Sequence, residues 1–167
     1  DQGTVNADEV PEAAFTNAYD TAGAFTPKVT KVLQGEGAEL KAGQFSFQLI
    51  DENGRVVQTV TNAADGSVTF DALHYTKADD GKTFTYRIDE VDDGQQNIAY
   101  DSKVVELKVK VADNGDGTMT ATATYDGTET ASGQVGATFT NTLQTSVTVP
   151  ATGQGGKFFL VSIFLLY

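Results

Sequence analysis

Phe84-Thr85-Tyr86-Arg87-Ile88-Asp89-Glu90 decides how this chain is read. Apolar and polar residues alternate through it, as in a strand with one face against a core, and Phe84, Tyr86 and Ile88 share that face. One further step of the same period puts Glu90 there. An ionised carboxylate among large apolar side chains is costly without a partner, so the position of Glu90 requires one. Two other stretches carry the same anomaly. Val29, Lys31 and Leu33 share one parity; Val135, Ala137, Phe139, Asn141 and Leu143 share another. Singly, each residue has a plainer reading. Lys31 can lay its stem along an apolar edge, Glu90 can end a strand in solvent, and Asn141 can belong to a turn. Jointly, an amine, a carboxyl and a carboxamide on inward faces point to one buried site.

Turn signals recur about every ten residues on either side of this stretch. Thr21–Leu33 reads as a first strand stopped by Gly35 and Gly37, followed by alternation at Phe45, Phe47 and Leu49. Asp51-Glu52-Asn53-Gly54 predicts a hairpin with a primed two-residue turn. Arg55–Val60 returns, Asn62–Gly66 turns again, and Ser67–Phe70 is a short strand. A polar loop runs from Asp92 to about Tyr100. Val105, Leu107, Val109 and Val111 then alternate with charged residues, and Met119–Tyr125 and Gln134–Leu143 complete the series. About eight short strands without a convincing helix predict an all-β, immunoglobulin-like antiparallel β-sandwich.

The 167 residues allow one ordinary domain plus tails. A hydrophobic share of 40% supports a packed core, and a net charge of −12 argues against nucleic acid as a partner. With no Cys, disulfides and thiolate chemistry are excluded. Asp113–Thr118 lacks the spacing and distal Glu of an EF-hand loop and reads as a hairpin turn. His74 has no catalytic arrangement around it, so neither a metal nor a cofactor is expected.

Phe15-Thr16-Asn17 recurs as Phe139-Thr140-Asn141. Residues 1–20 are therefore expected to be the end of a preceding repeat and a linker, and 21–143 the sandwich domain. Residues 144–157 read as a linker. Phe158–Tyr167 is apolar apart from Ser162 but shorter than the roughly 20 residues of a membrane span, and reads as a truncated segment.

Val29-Thr30-Lys31-Val32-Leu33, Leu40–Phe47, Tyr86–Glu90, Tyr100-Asp101, Asn114–Gly117 and Phe139-Thr140-Asn141 together resemble the streptococcal pilin isopeptide linkage domain, related to CnaB-type domains of Gram-positive surface proteins. The resemblance covers about Phe25 to Leu143. It implies a spontaneous isopeptide bond between Lys31 and Asn141, assisted by Glu90 as the buried acid, in a structural protein and not a multiple-turnover enzyme. On this view Glu90 donates its proton to the Asn141 carbonyl and then carries one to the departing ammonia.

Val149-Pro150-Ala151-Thr152-Gly153 resembles a sortase signal of the LPXTG type, with Val149 where Leu is usual. This implies sortase as a partner, cleavage after Thr152, and attachment of Thr152 to peptidoglycan or another pilin subunit at the cell surface. The alternative is a ligand-binding adhesin module that meets a host-surface ligand through a loop such as Asp92–Tyr100. A hydrolase is disfavoured, because no second inward acid accompanies Glu90.

Overall fold

The computed structural model of the chain describes residues 21–145. The strands are β1 Ala22–Phe25, β2 Lys28–Gln34, β3 Ser46–Asp51, β4 Val56–Thr61, β5 Ser67–Thr69, β6 Leu73–Thr76, β7 Thr83–Glu90, β8 Ile98–Ala99, β9 Val104–Asp113, β10 Met119–Tyr125, β11 Thr128–Thr130 and β12 Ala137–Leu143. A 3-10 turn, Lys77–Asp79, follows β6. Phe15–Asn17, the motif Val149–Gly153 and the apolar segment 158–167 lie outside the described residues.

β9 shows how the pattern becomes a sandwich. Val105, Leu107, Val109 and Val111 are buried while Glu106, Lys108 and Lys110 face solvent. Each buried aliphatic side chain contributes about 1.5–3 kcal/mol relative to exposure. β9 lies inside a six-stranded sheet of order β11-β10-β9-β7-β3-β4, and a four-stranded sheet of order β5-β2-β12-β8 covers its apolar face. Phe47 of β3 meets Phe139 of β12 edge to face across the core, ring centroids 5.3 Å apart. This is an immunoglobulin-like β-sandwich, and β1 with β6 forms a small separate ribbon.

The structure departs from the sequence reading in five places. Thr21–Leu33 is two strands, broken at Thr26-Pro27. Pro27 has no N–H to offer a ladder, and its carbonyl instead accepts the Phe70 N–H at 3.0 Å. The chain thereby leaves β6 and joins β5 and β12. Second, Asn53-Gly54 is not a primed two-residue turn. The loop holds three residues, closed by Asp51 N–H to Arg55 O at 2.9 Å, with Gly54 alone at positive φ, 79°. The Asp51 carboxylate accepts the Asn53 and Arg55 N–H groups and so selects the longer loop.

Third, β8 arises inside the expected loop, and β6 and β11 in stretches to which the sequence assigned no strand; at two to four residues they are too short to show a period. Fourth, β12 starts at Ala137, so Val135 precedes it and is 46% exposed instead of facing inward. Fifth, one pairing in the otherwise antiparallel sandwich is parallel. β12 lies beside β2 with Phe139 opposite Lys31 and Asn141 opposite Leu33. The first and last strands of the sandwich are thus neighbours running the same way.

Candidate functional site

β2, β7 and β12 each deliver one polar side chain into the apolar layer. Lys31 lies mid-β2 and is 1% exposed; Asn141, two register steps further along the adjacent β12, is fully buried. Glu90 ends β7 in the facing sheet, paired with Phe47, and its side chain is fully buried. Just beyond Glu90 the chain is pinned by Val91 N–H to Ser46 O at 2.9 Å, which fixes the strand end that aims the carboxyl inward. The backbone beside Lys31 is equally constrained. Lys31 N–H donates to Gly66 O at 2.7 Å, and a Cβ at residue 66 would stand 2.3 Å from Lys31 O. Only glycine tolerates both that approach and φ of 86°.

The three side chains form one hydrogen-bonded group. Lys31 Nζ lies 2.7 Å from Glu90 Oε1 and donates to Oε2 at 2.8 Å. Asn141 Nδ2 donates to Glu90 Oε1, also at 2.8 Å. The carboxyl therefore bridges the amine and the amide nitrogen. Phe45 and Phe47 close the apolar surround, with Lys31 Nζ 4.6 Å and 5.9 Å from their ring centroids. Burial dominates both titrations. It lowers Lys31 from its ordinary 10.5 despite the Glu90 contact, and raises Glu90 from its ordinary 4.5 despite the Lys31 contact. Both shifts favour a neutral amine beside a neutral acid.

The amide oxygen is arranged otherwise than expected. Asn141 Oδ1 is turned away from Glu90 and accepts the Asp101 main-chain N–H at 2.8 Å. A main-chain N–H can only donate, so it must face the oxygen, and that orients Nδ2 towards the carboxyl. Glu90 consequently touches the nitrogen of the amide and not its carbonyl. Strand parity gave Asp101 no role, although Tyr100-Asp101 is one of the stretches that carry the family resemblance: it stands just past the two-residue β8, in a loop where no periodicity applies.

Loop 92–101 covers the site. Tyr100 packs edge to face on Phe45, centroids 5.9 Å apart, and its hydroxyl bonds to Asp93. Gln95 Nε2 reaches across to Gln44 O at 2.8 Å. A solvent-open pocket of about 380 Å³ is lined by Glu90, Asp92, Gln95, Ile98, Tyr100 and Asp101. No group of His, Cys, Asp and Glu among the described residues could hold a metal ion. The turn acids Asp113 and Asp116 instead accept the N–H groups of Gly115 and Thr118. His74 is on the exposed side of β6.

Residues 27–144 match the family FctA, described as the Spy0128-like isopeptide containing domain. The chain belongs to this family. The match takes in β2, the whole β7 strand and β12, and so all three members of the buried group. No curated protein matches the chain significantly. Among solved structures it is similar to the major pilin protein (T-13) from Streptococcus pyogenes, with 16% identity over 78% of this chain and 56% of that one and a TM-score of 0.46. A second major pilin from Streptococcus pyogenes shares 13% identity over 72% of this chain and 50% of that one, TM-score 0.43. The pilus adhesin SpaC from Lactobacillus rhamnosus GG shares 22% over 77% of this chain and 15% of that one, TM-score 0.38. The chain spans about half the length of the solved pilins it matches.

Proposed function

We propose that this domain is a load-bearing, self-cross-linked segment of a pilus-like or fibrillar protein on the surface of a Gram-positive bacterium. The observation that carries this is the buried group Lys31–Glu90–Asn141, set between the first and last strands of the sandwich and hydrogen-bonded through one carboxyl. The product is an isopeptide between Lys31 Nζ and Asn141 Cγ with release of ammonia. It forms once per chain and is not enzymatic turnover.

The geometry suits the step. Desolvation leaves Lys31 able to act as a neutral nucleophile and Glu90 able to act as an acid. Glu90 meets the nucleophile with both oxygens and the leaving nitrogen with Oε1, so it can take a proton from the first and deliver one to the second. Folding supplies the proximity, which can be worth roughly 7–11 kcal/mol of barrier.

The parallel pairing of β2 with β12 gives the bond its mechanical meaning. Tension entering at the start of β2 and leaving at the end of β12 shears that pair along its ladder. A covalent link inside the pair carries the load, and the 141 − 31 = 110 residues it encloses are relieved of it. Closing a loop of that size also adds about 4–5 kcal/mol by analogy with disulfides. The link survives reducing conditions, which suits a chain with no Cys.

In the same reading residues 1–20 end a preceding repeat, 144–157 form a linker, and Val149–Gly153 is cleaved by sortase after Thr152. Thr152 is then joined to peptidoglycan or another subunit. A ligand-binding role has the pocket under loop 92–101 in its favour, and binding to glycan arrays or matrix proteins tests it. For the cross-link, the decisive measurement is the intact mass of the folded protein, expected one ammonia below the sequence mass. An unshifted mass in folded chain overturns it.

A further inference from the structure

We propose that the main-chain N–H of Asp101 is the oxyanion donor for the cross-linking step, and that the Asp101 carboxylate is the positioning group that aims it. The proposal rests on the isopeptide reading above and assigns a role to a residue that reading leaves unused.

When Lys31 Nζ attacks Asn141 Cγ, a C–N bond forms and the carbonyl π electrons move onto Oδ1. The amine proton passes to Glu90, Glu90 returns a proton to Nδ2, the Cγ–Nδ2 bond breaks, and ammonia leaves as the carbonyl re-forms. Negative charge therefore develops on Oδ1. Glu90 does not meet it there, being engaged with Nζ and Nδ2. The Asp101 N–H does, at 2.8 Å, in a setting where Asn141 is fully buried and a donor acts at low dielectric.

The placement of this N–H depends on the side chain of the same residue. β8 ends at Ala99, so no ladder holds residue 101 against β12. The Asp101 carboxylate replaces the ladder: Oδ2 accepts Thr140 N–H at 2.8 Å and Oδ1 accepts Lys103 N–H at 3.1 Å. Thr140 adjoins Asn141, so Asp101 grips β12 twice, by its carboxylate on one residue and its N–H on the next. Burial alone would raise this carboxyl. The N–H groups of Thr140 and Lys103 and the Lys103 ammonium, 3.3 Å away, hold it below the usual range instead. The anion is thus offset locally and opposes the developing oxyanion less than a bare charge would.

The test uses the full chain, assembled by segment ligation under denaturing conditions so that it starts unreacted. Dilution into native buffer starts the clock, and loss of ammonia is timed by intact mass. Replacing the Asp101 residue by its α-hydroxy acid turns one N–H into an ester oxygen and leaves every side chain in place. The expected result is a reaction slowed about 10²–10³-fold with its pH profile unchanged. The same ester at Lys28, whose N–H donates to the Tyr125 hydroxyl at 3.1 Å, removes a comparable bond away from the carbonyl and should alter the rate by no more than a few-fold. Asp101→Ala, which keeps the N–H but loses the grip, should slow the reaction about tenfold, with Asp101→Asn recovering part of it through its remaining acceptor oxygen. A wild-type rate in the Asp101 ester, or a Lys28 ester equally slow, overturns the donor assignment. If the Asp101 ester does not fold, equal rates in Asp101→Ala and wild type overturn the proposal. A wild-type chain that never loses ammonia sinks the isopeptide reading itself, a different outcome from any of these.

Discussion

Two asparagines are buried in this sandwich, and they are put to opposite uses. Asn62 is 2% exposed and Asn141 fully buried. Asn62 Oδ1 accepts Phe45 N–H at 2.8 Å, and its Nδ2 donates to Lys41 O and Ala63 O, both at 2.9 Å. All its partners are main chain, and none can move a proton at ordinary pH. Asn141 also spends its oxygen on a main-chain N–H, but its nitrogen faces a carboxyl that in turn holds an amine. The side chains are identical and equally desolvated. What separates an inert clamp from a group poised for attack is the partner on the nitrogen, so burial of a polar residue does not by itself mark a site.

The largest effect expected to sharpen this comparison follows removal of the nucleophile. Lys31→Met keeps most of the side-chain volume and leaves Asn141 nothing to react with. The chain should retain its full sequence mass, and denaturant unfolding should show the loss of about 4–5 kcal/mol of loop-closure stability. A mass deficit that persists in this variant would place the bond elsewhere. Next comes Glu90→Gln, which keeps the shape but cannot shuttle a proton. Ammonia loss should slow by about 10²–10⁴-fold, read by timed intact mass.

The pH profile of the wild-type step separates the two asparagines further, because only Asn141 has titrating partners. The step needs Lys31 without its extra proton and Glu90 with one. The rate should fall on the acid side as the amine becomes protonated, at a pH below the ordinary 10.5 because burial lowers Lys31. It should fall on the alkaline side as the carboxyl ionises, at a pH above the ordinary 4.5 because burial raises Glu90. The two limbs belong to the pair, yet Glu90→Gln should abolish the alkaline one. A profile that keeps this limb in Glu90→Gln would remove Glu90 from the proton path.

Much of this was open to a reader of the sequence alone, for a physical reason. A strand has a period of two, and a polar residue that falls on the apolar parity stands out without any knowledge of its partners. Lys31, Glu90 and Asn141 stand out in this way, and the fold brings them together. Asn62 does not, because it lies in a turn where its residue type is unremarkable. Asp101 belongs to a stretch that carries the family resemblance, but strand parity is silent on its role because it lies in a loop. The parallel contact of β2 and β12 depends on which strands meet across the whole chain, and side-chain periodicity carries no trace of it. The break at Pro27 was visible in principle, since a residue without an N–H rarely continues a ladder.

The smallest effect concerns Asn62, and it decides whether the comparison is sound. Asn62→Ala deletes three hydrogen bonds and leaves Phe45 N–H, Lys41 O and Ala63 O to find others. An unsatisfied buried polar group costs about 1–3 kcal/mol, and water can reach part of this turn, since Lys41 and Ala63 are exposed. The expected loss is therefore about 1–3 kcal/mol in denaturant unfolding, below that of Lys31→Met. Yet Phe45 lies against Lys31 Nζ, so the turn is not remote from the site. If Asn62 is only a clamp, the variant should still complete the cross-link, and its folded mass should show the same ammonia deficit as wild type. If it folds but stays unreacted, Asn62 sets the aromatic wall around the amine, and the division between an inert and a reactive asparagine does not hold.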